Sequence, residues 1–334
     1  MAEVDFKKFY QELQGEDFKS FYFLYGEEDY LIERAFNYLV DCLLPQEFRD
    51  FNFHIYYPEE VKEEAVLDNY EMYPMMAPRR VLIFKEVGSF NDSQVSVIQE
   101  IIKKPNDMVY VVFLAPSIDK KKKIFKLLSE KAYSLEFKRP YDNQIPQWIQ
   151  TLAKEQGVEI DSQASHGLHE LIGSELRNLN KELLKLKDYV YPRALISIDD
   201  VQSLIANSSQ QTTFKLVEQW IEGSESQRLK LCEEIIDQGE SELGFLQLLA
   251  RHLRILLQVK KGLAEGLSRD QLGKKFFIPN YFMDKYLKQS RQWSEIDLQR
   301  ILAYMADTEM NFKRNPQLKK ALLNDLVWTS VAVK

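Results

Sequence analysis

The 334-residue sequence predicts a parallel α/β domain followed by two all-helical domains, and three observations carry that expectation. Short β-branched and aromatic runs alternate with helical patterns over the first 140 residues. Two of those runs, VLIF and VYVVFLA, are apolar without interruption, and strand signals stop after Pro140. Alternating strands and helices build a parallel sheet, because each helix crosses back to the sheet's starting end. Continuously apolar strands suit a sheet covered on both faces.

The expected strands are Phe21 to Tyr25, Phe51 to Tyr57, Arg80 to Val87, Met108 to Ala115 and Ala132 to Lys138. Tyr30 to Leu43, Val61 to Tyr73, Ser93 to Lys103 and Lys120 to Lys131 repeat apolar residues every three or four positions and read as the covering helices. Short helices follow at Gln144 to Gln156, Gln163 to Ile172, Ser174 to Tyr189 and Asp199 to Ala206, with Asp161, Ser174 and Ser197 or Asp199 as N-caps. The uncharged stretch NSSQQT, Asn207 to Thr212, reads as a linker. From Phe214 onward about seven helices are expected, with a capping box at Ser224 and Gln227 and Pro279 at a helix start. The domains are therefore 1–140, 141–208 and 209–334.

The segment Leu243 to Val259 is apolar around most of its circumference, leaving Gln247, Arg251, Arg254 and Gln258 as a narrow polar stripe. Such a helix is buried from several sides, by its own domain's core or by another subunit.

A net charge of −7 and a pI near 5.4 argue against a protein that chiefly wraps phosphates, since that task is driven by Lys and Arg releasing counterions. Cys42 and Cys232 are too few and too far apart for a zinc module or a disulfide framework, and both are expected in the core. The N-terminus lacks an apolar signal region and no apolar run reaches membrane-spanning length, so a cytoplasmic protein without a membrane partner is expected.

In this α/β order a phosphate cradle belongs after the first strand, where the sequence reads LYGEEDYLIER. A nucleotide loop needs several glycines, a Lys and a Ser or Thr; only Gly26 is present, followed by Glu27, Glu28 and Asp29. Three carboxylates would repel a triphosphate, whereas at a helix start they favour the positive end of its dipole. His166 and His169 have chelating spacing but no third ligand nearby, and a solvent-facing or capping role is the commoner fate. No catalytic constellation, metal site or cofactor is expected.

Several segments, in order and spacing over most of the chain, carry a resemblance: FYFLYGEEDYLIERA, MAPRRVLIFKEV, DDVQSLIANSSQQTTFKLVEQWIEG, FLQLLARHLRILLQVKK and NFKRNPQLKKALLNDLV. Together they resemble the delta-subunit family of the bacterial DNA polymerase III clamp loader, relatives of AAA+ ATPases with the fold but not the nucleotide machinery. The family's sister subunits carry a P-loop, a four-cysteine zinc module or a Ser-Arg-Cys finger, and this sequence has none of the three.

The resemblance implies a hydrophobic wedge before the third strand, which places it at Met75 and Met76, with Met72 and Pro74 beside them, in EMYPMMAPRR. Glu71 and the two methionines stand where the better-known version has Gln and Leu-Phe. Read from the residues alone, Met72, Tyr73, Met75 and Met76 are rather the apolar edge of a helix and turn packed beneath the sheet. The basic run Lys120 to Lys123, with Lys121 and Lys122 between, is either a solvated helix face or a contact with primed DNA or an acidic partner. Leu246, Leu249, Leu253 and Leu256 are candidates for packing in a helical collar, or for the domain's own core.

The resemblance further implies a non-catalytic protein that binds the beta sliding clamp and stabilises its open ring. Its partners would be the gamma/tau motor subunits, delta-prime and, in the assembled loader, primed DNA. A scaffold unrelated to replication, or an enzyme with an active nucleotide site, are the readings from other classes.

Overall fold

The structure, a computed structural model, describes residues 2–205, 209–237, 242–314 and 319–331. The chain divides into two compact units, Met1–Tyr141 and Asp142–Lys334.

The first unit is a five-stranded, wholly parallel sheet of β1 (Phe21–Gly26), β2 (Phe53–Tyr56), β3 (Arg80–Phe84), β4 (Val109–Ala115) and β5 (Tyr133–Phe137). Their order across the sheet is β2-β3-β4-β1-β5. Helices α1 (Ala2–Gln14), α2 (Asp29–Leu43), α3 (Arg49–Asn52), α4 (Glu63–Glu71), α5 (Asp92–Lys103) and α6 (Lys123–Lys131) complete it. Because successive side chains alternate faces, Phe21, Phe23, Leu82, Phe84, Val111 and Phe113 join one core with residues of α4, α5 and α6. Tyr56, Phe84 and Phe113 stack across three strands, with centroids 5.2 and 5.5 Å apart. Phe9 of α1 meets Tyr22 and Tyr133 edge-on or tilted at 6.2 Å.

Three expected boundaries move for identifiable reasons. The strand expected from Phe51 starts at Phe53, because the Asn52 side chain donates to the Phe48 carbonyl at 2.9 Å and closes a helical turn first. The strand expected to reach Val87 stops at Phe84, and Glu86 adopts a left-handed φ of 54°. The helix expected from Lys120 begins at Lys123, because Asp119 accepts the Lys121 amide on its side chain and the Lys122 amide on its carbonyl, closing a turn.

The second unit starts with α7 (Ile145–Glu155), α8 (Ser162–Ile172), α9 (Leu176–Val190) and α10 (Ile198–Ile205). It also contains a strand pair absent from the sequence expectation, β6 (Glu159–Ile160) and β7 (Leu195–Ile196). Asp161 caps α8 through the Ala164 amide, and Ser197 exchanges capping bonds with Asp200. Ser174 does not cap α9; its hydroxyl bonds to Asp142 instead.

Of the expected linker, Asn207 and Ser208 lie outside the described residues, whereas Ser209 to Thr212 open α11 (Ser209–Glu222). Polar residues without periodicity suit a first turn, whose amides need no side-chain packing. Then follow α12 (Glu225–Asp237), α13 (Glu242–Ala264), α14 (Arg269–Phe276), α15 (Asn280–Ser290), α16 (Glu295–Arg314) and α17 (Lys319–Val331). The Ser224 amide donates to Gln227 at 2.8 Å, as a capping box requires, and Pro279 is the N-cap of α15. Cys232 is buried, which pushes its thiol up to about 12; Cys42, expected in the core, is only half-buried.

Candidate functional site

Loop 72–79 joins α4 to β3, next to the sheet-edge strand β2. Pro74 disfavours helical geometry at Tyr73, so α4 cannot continue through it. The loop exposes Met72 (52%), Tyr73 (76%), Met75 (54%) and Met76 (90%), while Pro74 is half-buried. Packing of the methionines beneath the sheet, the alternative left open by the residues, is not what the structure contains. Met76 has a left-handed φ of 54°, uncommon for a residue with a side chain.

The loop is held at three points, two of them on its backbone. Asn52, fully buried, accepts the Met75 amide at 2.6 Å and donates to the Met75 carbonyl at 2.8 Å. Arg80, also buried, donates to the Tyr73 carbonyl at 3.4 Å, to Asn69 Oδ1 at 3.3 Å and to His54 Nε2 at 3.0 Å. Burial and the nearby guanidinium lower the His54 pKa, which keeps the ring a neutral acceptor. Arg79 lies over the Phe18 ring at 4.3 Å and within 3.5 Å of Glu16. Both arginines of MAPRR are thus anchors of this loop. Phe51, one residue before Asn52, adds a 63% exposed aromatic side chain at a position the sequence assigned to a strand.

At the end of β1, Gly26 has φ 135°, and a Cβ there would stand 2.2 Å from the Phe137 carbonyl oxygen. The missing side chain makes room for the pairing with β5, and the Glu28 amide donates to that same carbonyl at 3.1 Å. Glu28 is buried, and Glu27 and Asp29 are exposed around it. The position where backbone amides would cradle a phosphate is therefore lined by acid.

Lys120 to Lys123 are exposed, yet three have partners. Lys120 pairs with Glu136 at 2.8 Å, Lys122 donates to the Gly88 carbonyl at 2.6 Å, and Lys123 lies 3.8 Å from Asp92. Leu246, Leu249, Leu253 and Leu256 are all buried, in a helix packed on α11, α15 and α16. Of their two readings, the chain's own core is where they lie.

The structure gives His166 and His169 different surroundings. His166 stacks on Phe277 at 5.4 Å, whereas His169 is buried against Ser174 and Asp142, at 3.0 and 3.6 Å. Among the described residues no group of three His, Cys, Asp or Glu could hold a metal ion, and no helix is long and apolar enough to cross a membrane.

The family described as DNA polymerase III, delta subunit, matches residues 22–138, and the family for the C-terminal domain of the same protein matches residues 210–329. The chain belongs to the DNA polymerase III delta-subunit family.

Two delta relatives cover nearly the whole chain. DNA polymerase III subunit delta of Bacillus subtilis (strain 168) is 26% identical over 312 residues, 90% of each chain. The probable DNA polymerase III subunit delta of Aquifex aeolicus (strain VF5) is 22% identical over 322 residues, 90% of this chain and 89% of the relative. The solved Bacillus subtilis DNA clamp loader delta protein has the same fold, with TM-score 0.55 and 24% identity over 98% of this chain and 99% of that one. Within this delta-family chain the exposed methionine loop falls inside the matched segment 22–138, and the buried leucines of α13 fall inside 210–329.

Proposed function

We propose that this chain is a non-catalytic clamp-loader component that grips a sliding clamp through Met75 and Met76 and stabilises its open ring. The observation that carries the proposal is the exposed methionine pair on a backbone fixed by buried hydrogen bonds. Apolar side chains exposed together at a loop apex mark an interaction surface. Methionine suits irregular apolar pockets because its side chain is flexible and polarizable. Burying two of them contributes on the order of 3 to 6 kcal/mol before the cost of association. That is an anchor for a contact shared with Met72 and Pro74.

The acidic loop at Gly26 supports the second half of the proposal, that ATP is bound and used by the gamma/tau motor subunits and not here. The chain then acts by differential affinity: a surface that fits the opened clamp better than the closed one shifts the ring equilibrium without hydrolysis. Residues 141–208 would serve as a lid-like module and 209–334 as a collar joined to delta-prime and the motor subunits. The assembled loader would meet primed DNA in the cytoplasm.

The test is binding of the full chain to the sliding clamp of its own organism. Met75→Ala combined with Met76→Ala should leave the thermal midpoint unchanged and weaken clamp binding at least 10-fold. A folded double variant that binds like the parent sinks the proposal. Purified chain that turns over ATP sinks its non-catalytic half.

A further inference from the structure

The exposed methionines say where a partner would sit, but not why their loop holds its shape. Met72, Tyr73, Met75 and Met76 are mostly in solvent, so fixing the loop gives the sheet little packing in return. Left free, four apolar side chains on a short loop would fold back onto the nearest apolar surface. Two buried polar side chains, Asn52 of α3 and Arg80 of β3, are nevertheless committed to the loop's backbone.

We propose that Asn52 and Arg80 are positioning residues that set the backbone of loop 72–79 before a partner arrives, so that Met75 and Met76 are presented in one orientation. This inference rests on the clamp-binding reading above and concerns how that same site is prepared.

The geometry at Asn52 supports it most directly. Its side-chain amide faces Met75 as a neighbouring strand would, taking the amide proton at 2.6 Å and giving one to the carbonyl at 2.8 Å. A further bond to the Phe48 carbonyl at 2.9 Å fixes which way the amide points. Rotating it by half a turn would set donor against donor and acceptor against acceptor, so the buried side chain has a single satisfied state. The bond spans 23 residues in sequence, which ties the loop to the α3–β2 corner and not to itself.

Arg80 closes the other end. Its guanidinium joins the Tyr73 carbonyl, Asn69 of α4 and His54 of β2, and Asn69 in turn donates to the Tyr56 hydroxyl at 2.8 Å. Met75 is thereby held on one side and Tyr73 on the other, with Pro74 between them. Met76, next in line, takes its left-handed conformation directly after the pinned residue, with 90% of its surface exposed. Ordering a loop on binding subtracts from affinity, and a loop ordered during folding avoids that loss.

The experiment compares full-length parent, Asn52→Ala, Asn52→Asp and the Met75→Ala, Met76→Ala double variant for association with immobilised sliding clamp. Asn52→Asp keeps the volume and the bond from the Met75 amide but loses both donated bonds. Either Asn52 substitution should weaken binding by about 10-fold, chiefly through slower association, as expected when a loop must be ordered during encounter. Amide hydrogen exchange on the free parent chain needs no variant: the Met75 amide should exchange much more slowly than that of Met76. A purely structural Asn52 would lower the thermal midpoint without slowing clamp association in the folded fraction.

If the parent's Met75 amide exchanges as fast as its neighbour, or a folded Asn52 variant binds within two-fold of parent while the double methionine variant fails to bind, the positioning role is overturned and the wedge reading stands. If the double methionine variant itself binds like the parent, the wedge reading falls and the positioning role with it.

Discussion

Arg251 of α13 donates to Glu170 of α8 at 2.8 Å, with 13% and 5% of the two side chains exposed. The same guanidinium lies 3.9 Å from Asp142 and bonds the His169 carbonyl, so one cation serves the start of the second unit and two of its helices. Burial raises the Glu170 carboxyl pKa, and Arg251 works against that rise. Arg251→Met would leave the carboxylate buried without its partner, a loss of about 3 to 5 kcal/mol at neutral pH. Because a raised folded-state pKa favours the folded protein as pH falls, the loss should be smaller at pH 5 than at pH 7.5. Urea denaturation of parent and variant at both pH values measures it, and an equal loss at both would exclude Glu170 as the source.

His252 is buried in α13, with Nε2 2.7 Å from the Gln289 side-chain oxygen and Nδ1 3.4 Å from the Tyr286 hydroxyl. Burial, aided by Lys285 and Arg251, lowers its pKa to about 4 against bonds and charge from Gln289 and Glu222. The unfolded chain binds this proton more readily between about pH 6.5 and 4, so stability is full above that window and falls on acidification through it. At pH 5 the loss from one such histidine is about 2 kcal/mol. His169, lowered to about 4, adds in the same direction, while Glu170 opposes both. His252→Gln should therefore flatten the decline in unfolding free energy between pH 7 and 5. A variant with the parent's pH profile would show that His252 does not titrate there.

The parts of this molecule legible in the sequence are those whose physics is local. VLIF and VYVVFLA predict β3 and β4 because a doubly covered strand leaves an unbroken apolar run. Asp161 predicts a cap, and Gln227 a bond back to the Ser224 amide, because each needs only its own next turn. What escapes depends on distant partners or on elements too short for a period. Two-residue β6 and β7 show no alternation, and Ser174 leaves its cap for Asp142, 32 residues away. The methionines stand out through a family resemblance alone, since their residue types by themselves favour a buried helix edge. Asn52 carries no signal at all, because nothing in FRDFNFH announces a bond to Met75. Composition reports which residues can be apolar; only the fold reports which of them remain outside.

Lys120 to Lys123 divide two roles that the sequence left together. Lys120 and Lys122 already have close partners within the first unit, at 2.8 and 2.6 Å. Exposed pairs of this kind contribute about 0 to 1 kcal/mol, so changing all four lysines to Gln should lower stability only slightly. If the run meets primed DNA in the assembled loader, neutralising it reduces the slope of log affinity against log salt in proportion to the phosphates lost. Loader assembled with the four-fold variant and titrated with primed DNA at several salt concentrations reads that slope. An unchanged slope leaves the run as a solvated face.

Arg228 of α12 is buried beside two stacked indoles, its guanidinium carbon 4.8 Å from the Trp220 ring and 4.7 Å from the Trp293 ring. Its donors reach the Trp220 carbonyl at 2.8 Å and the Ser330 hydroxyl of α17 at 2.9 Å. Cation–π contact and carbonyls at the end of α11 thus hold the charge beside indoles whose stacked centroids are 5.9 Å apart. Arg228→Met keeps most of the bulk and leaves those acceptors unsatisfied, at a cost of about 1 to 3 kcal/mol. Tryptophan emission should shift as the indoles lose the neighbouring cation, before any global unfolding. Unaltered emission together with parent-like stability would mean that the Arg228–indole cluster does not organise this end of the domain.

Met76 offers a test in which stability and binding separate. Its φ of 54° penalises any residue with a Cβ, by about 1 kcal/mol, while its side chain is 90% exposed and contributes little packing. Met76→Ala retains the backbone penalty; Met76→Gly removes it, at an entropic cost of about 0.5 to 1 kcal/mol for a more flexible unfolded chain. At most positions alanine is the more stable of the two, but here glycine should equal or exceed it in thermal midpoint. Both substitutions remove the apolar side chain and should weaken clamp binding alike. Alanine proving the more stable by a clear margin would mean that Met76 does not hold the left-handed conformation in solution. Glycine binding clamp as tightly as methionine would mean that the partner reads the loop's backbone and not its apolar tip.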